Sequence, residues 1–133
     1  KSKVPKKYFI SNKLWAGHKR RKKQNKLDGK GFGFGLVNSK SQYTNTISAR
    51  YYKDGSEILI QQGSGNPRKL MPVEAKRLQG FPKTFKISSI SDAQLYKQFG
   101  NSVSVNVIKE ISKNIIKSLQ GKKIKNYQLD LGF

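Results

Sequence analysis

Apolar residues recur at helical spacing near the beginning and near the end of this chain. The first stretch predicts a helix over residues 12–27, with Ser11 as its capping residue. Its inward positions are Leu14, Trp15, His18 and Arg21. The second stretch predicts a helix over residues 103–119, whose apolar stripe at steps of four is most simply a packing face. That stripe consists of Val107, Ile111, Ile115 and Leu119.

Local signals predict two shorter helices between them. Pro72 suits the first position of a helix over residues 72–78. Ser91 and Gln94 have the spacing of a capping box, so a further helix begins there and stops at Gly100.

Glycine and phenylalanine alternate in the segment GFGFG that begins at Gly31. A period of two predicts a strand, here over residues 32–38. Glycines on one face of a strand let a second backbone come close, and that backbone is either a neighbouring strand or DNA.

A β-hairpin is predicted farther along. Residues 44–52 are rich in Thr, Ile and Tyr, and residues 57–61 return as a second strand. Asp54 and Gly55 form the dipeptide that hairpin turns favour.

The loop at residues 62–66 is a plausible lobe boundary, dividing the chain into residues 1–66 and 67–133. Only 35% of the residues are hydrophobic, against roughly 45–50% for a similar residue set in globular domains. A chain of this composition is expected to need a partner surface that covers its apolar faces.

Positive charge is the dominant compositional feature. The chain has 28 Lys and Arg residues against 7 Asp and Glu, a net charge of +21. This favours a polyanionic partner, with nucleic acid first. The cations concentrate before residue 30, on the polar face of the first predicted helix. That face lies along phosphates or is simply solvated, and its candidate DNA contacts are Lys19, Arg20, Lys22 and Lys23.

Several classes of protein and site are excluded. The chain has no cysteine and a single histidine, His18, so disulfides and thiolate metal sites are ruled out and no metal site is expected. No apolar run is long enough for a transmembrane helix, and no apolar segment follows the basic start as in a signal peptide.

Two segments closely resemble shared motifs of the bacterial cytosine-5 DNA methyltransferases. Residues 68–82, RKLMPVEAKRLQGFP, resemble motif nine, and residues 98–103, QFGNSV, resemble motif ten. Residues 46–60, TISARYYKDGSEILI, are similar to the target recognition region of family members that act on CCWGG and CCGG sites. The resemblance implies an α+β fold, with a small β-sheet recognition lobe followed by helices that complete the α/β catalytic lobe.

Within the recognition segment, Arg50 is the best candidate base reader, because a guanidinium can bond O6 and N7 of guanine together. Lys53 at the turn is a phosphate anchor, and Ser48 and Tyr51 are secondary DNA candidates. The alternative is that Arg50 pairs with Asp54 or Glu57 across the hairpin.

The resemblance implies that motif nine packs the recognition region against the catalytic lobe. Its structural residues are Arg68, Glu74, Arg77, Gln79 and Gly80. Glu74 and Arg77 are placed for a weak ion pair, and Arg77 is expected to organise core carbonyl groups. Met71 stands where the family usually has Thr and cannot cap the helix that follows.

Motif ten is implied to close over the S-adenosyl-L-methionine pocket, through Asn101, Ser102 and Val103. Free N–H groups at the start of the following helix suit a carboxylate such as that of the cofactor. Taken alone, the segment is also compatible with an ordinary turn between helices.

The family's nucleophile is a cysteine thiolate, and this chain has no cysteine, so it supplies no catalytic residue. The family's Pro-Cys, Glu-Asn-Val and Phe-x-Gly-x-Gly segments have no counterpart here. The prediction is a C-terminal part or small subunit of a DNA (cytosine-5)-methyltransferase of restriction–modification. Its partners are double-stranded DNA and a partner polypeptide or N-terminal catalytic domain, in the nucleoid of a bacterial cytoplasm. The alternatives are a non-enzymatic DNA-binding remnant and, from charge alone, a basic RNA-binding protein.

Overall fold

A computed structural model describes residues 4–87 and 89–121. Short strands and four α-helices make a mixed α+β fold, which confirms the predicted class. In chain order the elements are a 3-10 turn at Lys6–Tyr8, α1 at Asn12–Leu27, β1 at Leu36–Val37, β2 at Leu59–Ile60, β3 at Arg68–Lys69, α2 at Pro72–Leu78, α3 at Asp92–Asn101 and α4 at Val105–Leu119. None of the helices within these described ranges is long and apolar enough to cross a membrane.

The three strands form one small sheet in the order β1-β2-β3. β1 pairs with β2 in parallel, and β2 pairs with β3 antiparallel. The predicted hairpin is therefore wrong, because β3 is the antiparallel partner of β2 and residues 44–52 form no strand. Residues 49–54 form consecutive turns instead, with Tyr51 N–H bonded to Ser48 O at 3.1 Å and Gly55 N–H to Tyr51 O at 3.1 Å. In this segment the burial of Tyr51 outweighs the strand propensity of its residues.

The glycines of the GFGFG segment bring protein backbone together, and only Leu36 and Val37 of the predicted strand are in the sheet. Gly33 has a positive φ of 80°, and a Cβ there would lie 2.7 Å from the Cα of Lys22 in α1. A Cβ on Gly35 would collide with the carbonyl oxygen of Glu57. The backbone close to Gly33 is that of α1, which neither alternative predicted, whereas the backbone close to Gly35 leads into the neighbouring strand β2.

Two hydrophobic clusters form the core. The main cluster contains Ile47, Tyr51, Ile58, Leu70, Ala75, Leu95, Tyr96 and Phe99. The second contains Ile10, Phe34 and Leu59, with Leu14 and Trp15 of α1 packed against it. The main cluster draws side chains from both sides of the loop at residues 62–66, so the lobes share one core.

The helix caps follow the predicted pattern. Ser11 Oγ accepts from Leu14 N–H at 3.2 Å at the start of α1, and Ser91 Oγ accepts from Gln94 N–H at 3.3 Å at the start of α3. α3 continues through Gly100, and α4 begins only at Val105. No residue of α4 is buried, so no described part of the chain covers the stripe that was predicted as a packing face.

Candidate functional site

Two buried tyrosines hold the backbone of Leu70, where β3 leads into α2. Tyr51 Oη donates to Ile58 O at 2.7 Å and accepts from Leu70 N–H at 2.7 Å. Tyr96 Oη donates to Leu70 O, and the two rings meet edge to face at 5.1 Å. Burial raises the pKa of both phenols, which therefore stay protonated. Tyr51 is 0% exposed, so its predicted role as a DNA contact is wrong.

Arg50 lies exposed on the turn that Tyr51 anchors. Both carboxylates expected as alternative partners are engaged elsewhere: Asp54 with Arg21 at 3.1 Å, and Glu57 with Ser48 at 2.5 Å. Within residues 4–87 and 89–121, Arg50 forms no ion pair. The guanidinium therefore remains available to an external acceptor.

The other recognition candidates lie next to Arg50 in different settings. Lys53 is exposed, and its N–H donates to Arg50 O at 2.9 Å. Ser48 is half-buried and bonded within the protein: its Oγ also accepts from Arg50 N–H at 3.1 Å. The sequence indicated Glu57 only as a possible partner of Arg50, and no local signal pointed to its bond with Ser48.

The four candidate cations of α1 are all exposed, and none forms an ion pair within the described part of the chain. Lys19 Nζ lies 5.6 Å from the centroid of the Trp15 ring, and Lys22 Nζ lies 4.4 Å from that of Phe34. These contacts place the two lysines over aromatic surface while their charges remain open to solvent.

Arg21, on the opposite side of α1, is an internal anchor. It contacts Asp54 and His18 Nδ1, the latter at 2.9 Å, and so joins α1 to the turn at residues 53–56. Burial acts to raise the pKa of Asp54, but bonds from Ser56 and Arg21 outweigh it and hold that pKa below its usual value. His18 is 1% exposed, and burial lowers its pKa.

Motif nine is organised around an ion pair that spacing did not predict. Arg68 binds both carboxylate oxygens of Glu74, at 2.7 and 2.8 Å. The expected pairing of Glu74 with Arg77 is therefore wrong. Arg77 is exposed, and no hydrogen bond joins its guanidinium to a core carbonyl in the described residues, so that prediction is also wrong. Arg68 lies in β3, ahead of the helix, and only the fold brings it to Glu74.

Glu74 also bonds the backbone of the N-cap residue Met71, whose own side chain does not cap the helix. Its Oε2 accepts from Met71 N–H at 2.7 Å, which forms one half of a capping box. Burial acts to raise the pKa of Glu74, but the bonds from Arg68 and Met71 outweigh it and lower that pKa.

Gln79 and Gly80 join motif nine to motif ten. Gln79 Nε2 donates to Phe99 O at 2.6 Å, and Gln79 O accepts from Val105 N–H at 2.9 Å. Gly80 has a φ of 78°, and a Cβ there would lie 3.2 Å from the side chain of Asn106. One glutamine therefore bonds the end of α3 and the start of α4.

The motif-ten turn faces an open cleft of about 630 Å³, lined by Ser102, Val103, Ser104 and the loop at residues 41–46. Asn101 is exposed, Val103 is 59% exposed, and Ser102 Oγ is already bonded to Phe99 O at 2.8 Å. The first N–H of α4 is taken by Gln79. Of the three predicted cofactor contacts, Ser102 and Val103 line this cleft, whereas Asn101 does not.

The fold of this chain matches part of the fold of a solved methyltransferase. The chain superposes on the crystal structure of the Schizosaccharomyces pombe Dnmt2 methyltransferase with a TM-score of 0.71, over 89% of this chain and 40% of that one. Identity is 16%, so the likeness concerns the fold.

The sequence comparisons identify the family. The model of the C-5 cytosine-specific DNA methylases matches residues 1–117. The chain is 64% identical over 109 residues to the Type II methyltransferase M.NlaX of Neisseria lactamica, covering 82% of this chain and 34% of that protein. It is 63% identical over 116 residues to the Type II methyltransferase M.SsoII of Shigella sonnei, covering 87% of this chain and 30% of that protein. The chain belongs to the bacterial C-5 cytosine-specific DNA methyltransferases and spans about a third of the length of these relatives.

Proposed function

We propose that this chain is the C-terminal part or small subunit of a DNA (cytosine-5)-methyltransferase, where it recognises a specific duplex site and completes the S-adenosyl-L-methionine pocket. The observation that carries the proposal is the bonding of motif nine to motif ten through Gln79, beneath the turn that presents Arg50. A single rigid unit then offers one surface to DNA and another to the cofactor.

On the DNA side, the support is the free guanidinium of Arg50. An exposed arginine with no carboxylate partner among the described residues, on a turn anchored by a buried tyrosine, can make a bidentate contact with guanine. Lys53 beside it and the α1 lysines supply charge for phosphates, which hold a duplex without reading its sequence.

On the cofactor side, the support is the open turn at Asn101 and Val103, next to the start of α4. This turn would form one wall of the S-adenosyl-L-methionine pocket, which supplies the methyl group. The other walls would come from the partner polypeptide or N-terminal catalytic domain.

The partner is supported by the uncovered face of α4. Six of its large apolar side chains are 45–82% exposed: Val107, Ile108, Ile111, Ile115, Ile116 and Leu119. Contiguous apolar surface of this kind marks protein–protein contact. The chain also spans only about a third of its relatives, which leaves the source of the catalytic thiolate to the partner.

The proposal can be tested with a hybrid enzyme in which this chain replaces the corresponding segment of M.SsoII. Methyl transfer to duplexes containing CCWGG or CCGG sites is measured with tritiated S-adenosyl-L-methionine. We expect the hybrid to methylate at least one duplex, and the purified 133-residue chain to methylate none, because it has no thiol. Incorporation by the chain alone would contradict the proposal. A hybrid that binds duplex DNA but transfers no methyl group would favour the non-enzymatic remnant.

Base reading and phosphate anchoring are separated in the same hybrid. Arg50→Ala is expected to cost about 1–3 kcal/mol on the preferred duplex and less on a duplex with one base pair changed. Lys53→Ala is the matched control and should weaken both duplexes alike. Equal losses from Arg50→Ala would assign Arg50 to a phosphate or structural role.

A further inference from the structure

The turn that carries Arg50 is held from within by a short chain of hydrogen bonds. Ser48 Oγ donates to Glu57 Oε1 at 2.5 Å and accepts from Arg50 N–H at 3.1 Å. A serine hydroxyl rotates freely unless a partner fixes its hydrogen. The carboxylate of Glu57 is such a partner, because an ionised acceptor makes the stronger hydrogen bond. It leaves a lone pair of Ser48 Oγ directed at the backbone of Arg50.

The same turn rests directly on helix α3. A Cβ on Gly100 would collide with the backbone of Ser48 and Ala49, so the helix and the turn are in closest possible approach there. Gly100 immediately precedes Asn101 of motif ten. The turn is therefore packed against helix α3 on one side and held by a charge-assisted hydrogen bond on the other.

The core does not depend on this pair of side chains. Ser48 and Glu57 are only half-buried, whereas the main cluster is closed by Tyr51, Tyr96 and their aliphatic neighbours. Removing the Ser48–Glu57 bond should thus alter the direction of Arg50 more than the stability of the fold.

We propose that Ser48 and Glu57 are positioning residues that hold the Arg50 turn in the geometry for base reading. The proposal rests on the function proposed above, in which Arg50 reads a base. It assigns Ser48 a role inside the protein instead of a contact with DNA, and it gives Glu57 a role in sequence specificity.

The experiment measures discrimination in the hybrid enzyme. Dissociation constants are determined for the CC-containing duplex that the hybrid methylates fastest and for the same duplex with one guanine changed. Glu57→Ala and Ser48→Ala should each reduce the ratio of the two constants about tenfold, the size of one hydrogen bond to a charged group. Glu57→Gln should retain most of the ratio, because the amide oxygen still accepts from Ser48. Binding to the changed duplex should stay within about twofold for all three variants, because phosphate contacts carry it.

Coupling to Arg50 makes the result specific. In an Arg50→Ala background, Ser48→Ala should cause no further loss of discrimination, since its effect passes through Arg50. Thermal unfolding of each variant is recorded to exclude misfolding. The proposal is overturned if Arg50→Ala lowers the ratio while Ser48→Ala and Glu57→Ala leave it unchanged. It is also overturned if these two variants weaken both duplexes equally. If Arg50→Ala itself leaves the ratio unchanged, base reading by Arg50 fails, and the positioning role fails with it.

Discussion

The helices α1 and α4 have nearly equal lengths, 16 and 15 residues, and opposite relations to the rest of the molecule. α1 is polar on most of its surface, yet His18 is buried and Trp15 meets Phe34 edge to face at 4.9 Å. α4 carries a continuous apolar stripe, yet none of its residues is buried.

This difference shows that the composition of a helix does not determine how much of its surface the rest of the chain buries. α1 packs its few apolar groups inside the chain and keeps Lys19, Arg20, Lys22 and Lys23 exposed. α4 keeps its apolar face exposed. Periodicity establishes that a helix has a packing face, but the partner for that face can belong to another part of the protein.

The largest expected effect on stability comes from removing the side chain that holds α1. Phe34→Ala deletes a buried ring that touches Trp15 and lies beneath Lys22, and we expect it to lower the free energy of unfolding by about 3–5 kcal/mol. Ile111→Ala on the uncovered face of α4 should change it by about 0.5 kcal/mol or less. Denaturant unfolding of the 133-residue chain measures both. Equal losses would mean that the α4 face is already covered, for instance by a second copy.

The second prediction concerns contact between the apolar face of α4 and the rest of the enzyme. Ile111→Asp with Ile115→Asp in the hybrid should reduce methyl transfer by about 100-fold or more, because charges in an apolar interface lose their hydration. Lys113→Asn with Lys117→Asn, on the polar face, changes the net charge by the same amount and serves as the control. If the control variant loses as much activity, charge is responsible and the α4 interface is elsewhere.

A smaller effect should distinguish the cations of the two helices. Replacing Lys19, Lys22 and Lys23 with Gln should flatten the dependence of log K on log salt for duplex binding, by about 0.9 for each phosphate that the protein no longer neutralises. The same change at Lys109, Lys113 and Lys117 of α4 removes equal charge and should leave the slope nearly unaltered. Identical slopes for both variants would show that the α1 face is only solvated.

The smallest effect concerns His18 beneath α1. Burial holds its pKa below the usual 6.5, with Arg21 acting in the same direction and Asp54 opposing. Because the unfolded chain then binds the proton first, the free energy of unfolding should fall as the pH decreases through about 6.5. His18→Gln should flatten this part of the profile and keep an acceptor for Arg21. If the free energy of unfolding of His18→Gln depends on pH between about 7 and 5 as that of the unsubstituted chain does, His18 is not the cause of that dependence.

Sequence patterns predicted best where the signal is local. The helices at residues 12–27 and 72–78 have the predicted bounds, because a capping residue or an N-terminal proline acts on its own neighbours. The hairpin at residues 46–60 failed, because a bridge from Tyr51 to Leu70 links positions 19 residues apart.

Ion pairs and hydrogen bonds between distant positions were likewise not predicted from the sequence. Spacing along one helix suggested Arg77 for Glu74, whereas the fold supplies Arg68 from a neighbouring strand. Arg50 was identified from the chemistry of guanidinium groups, but its freedom from Asp54 and Glu57 depends on Arg21 and Ser48. These partners are brought together by the fold, and no period of two or four residues encodes them.

The family and the helices were determined by the sequence itself, since caps, periodicity and motif residues are properties of consecutive positions. The tertiary structure alone decided which tyrosines are buried, which carboxylate bonds the Arg50 turn and which apolar face remains exposed. The physical reason is that burial and hydrogen bonding depend on the sum of neighbours brought together by folding. For α4 no such neighbours lie within residues 4–87 and 89–121, so its apolar stripe alone could not indicate what covers it.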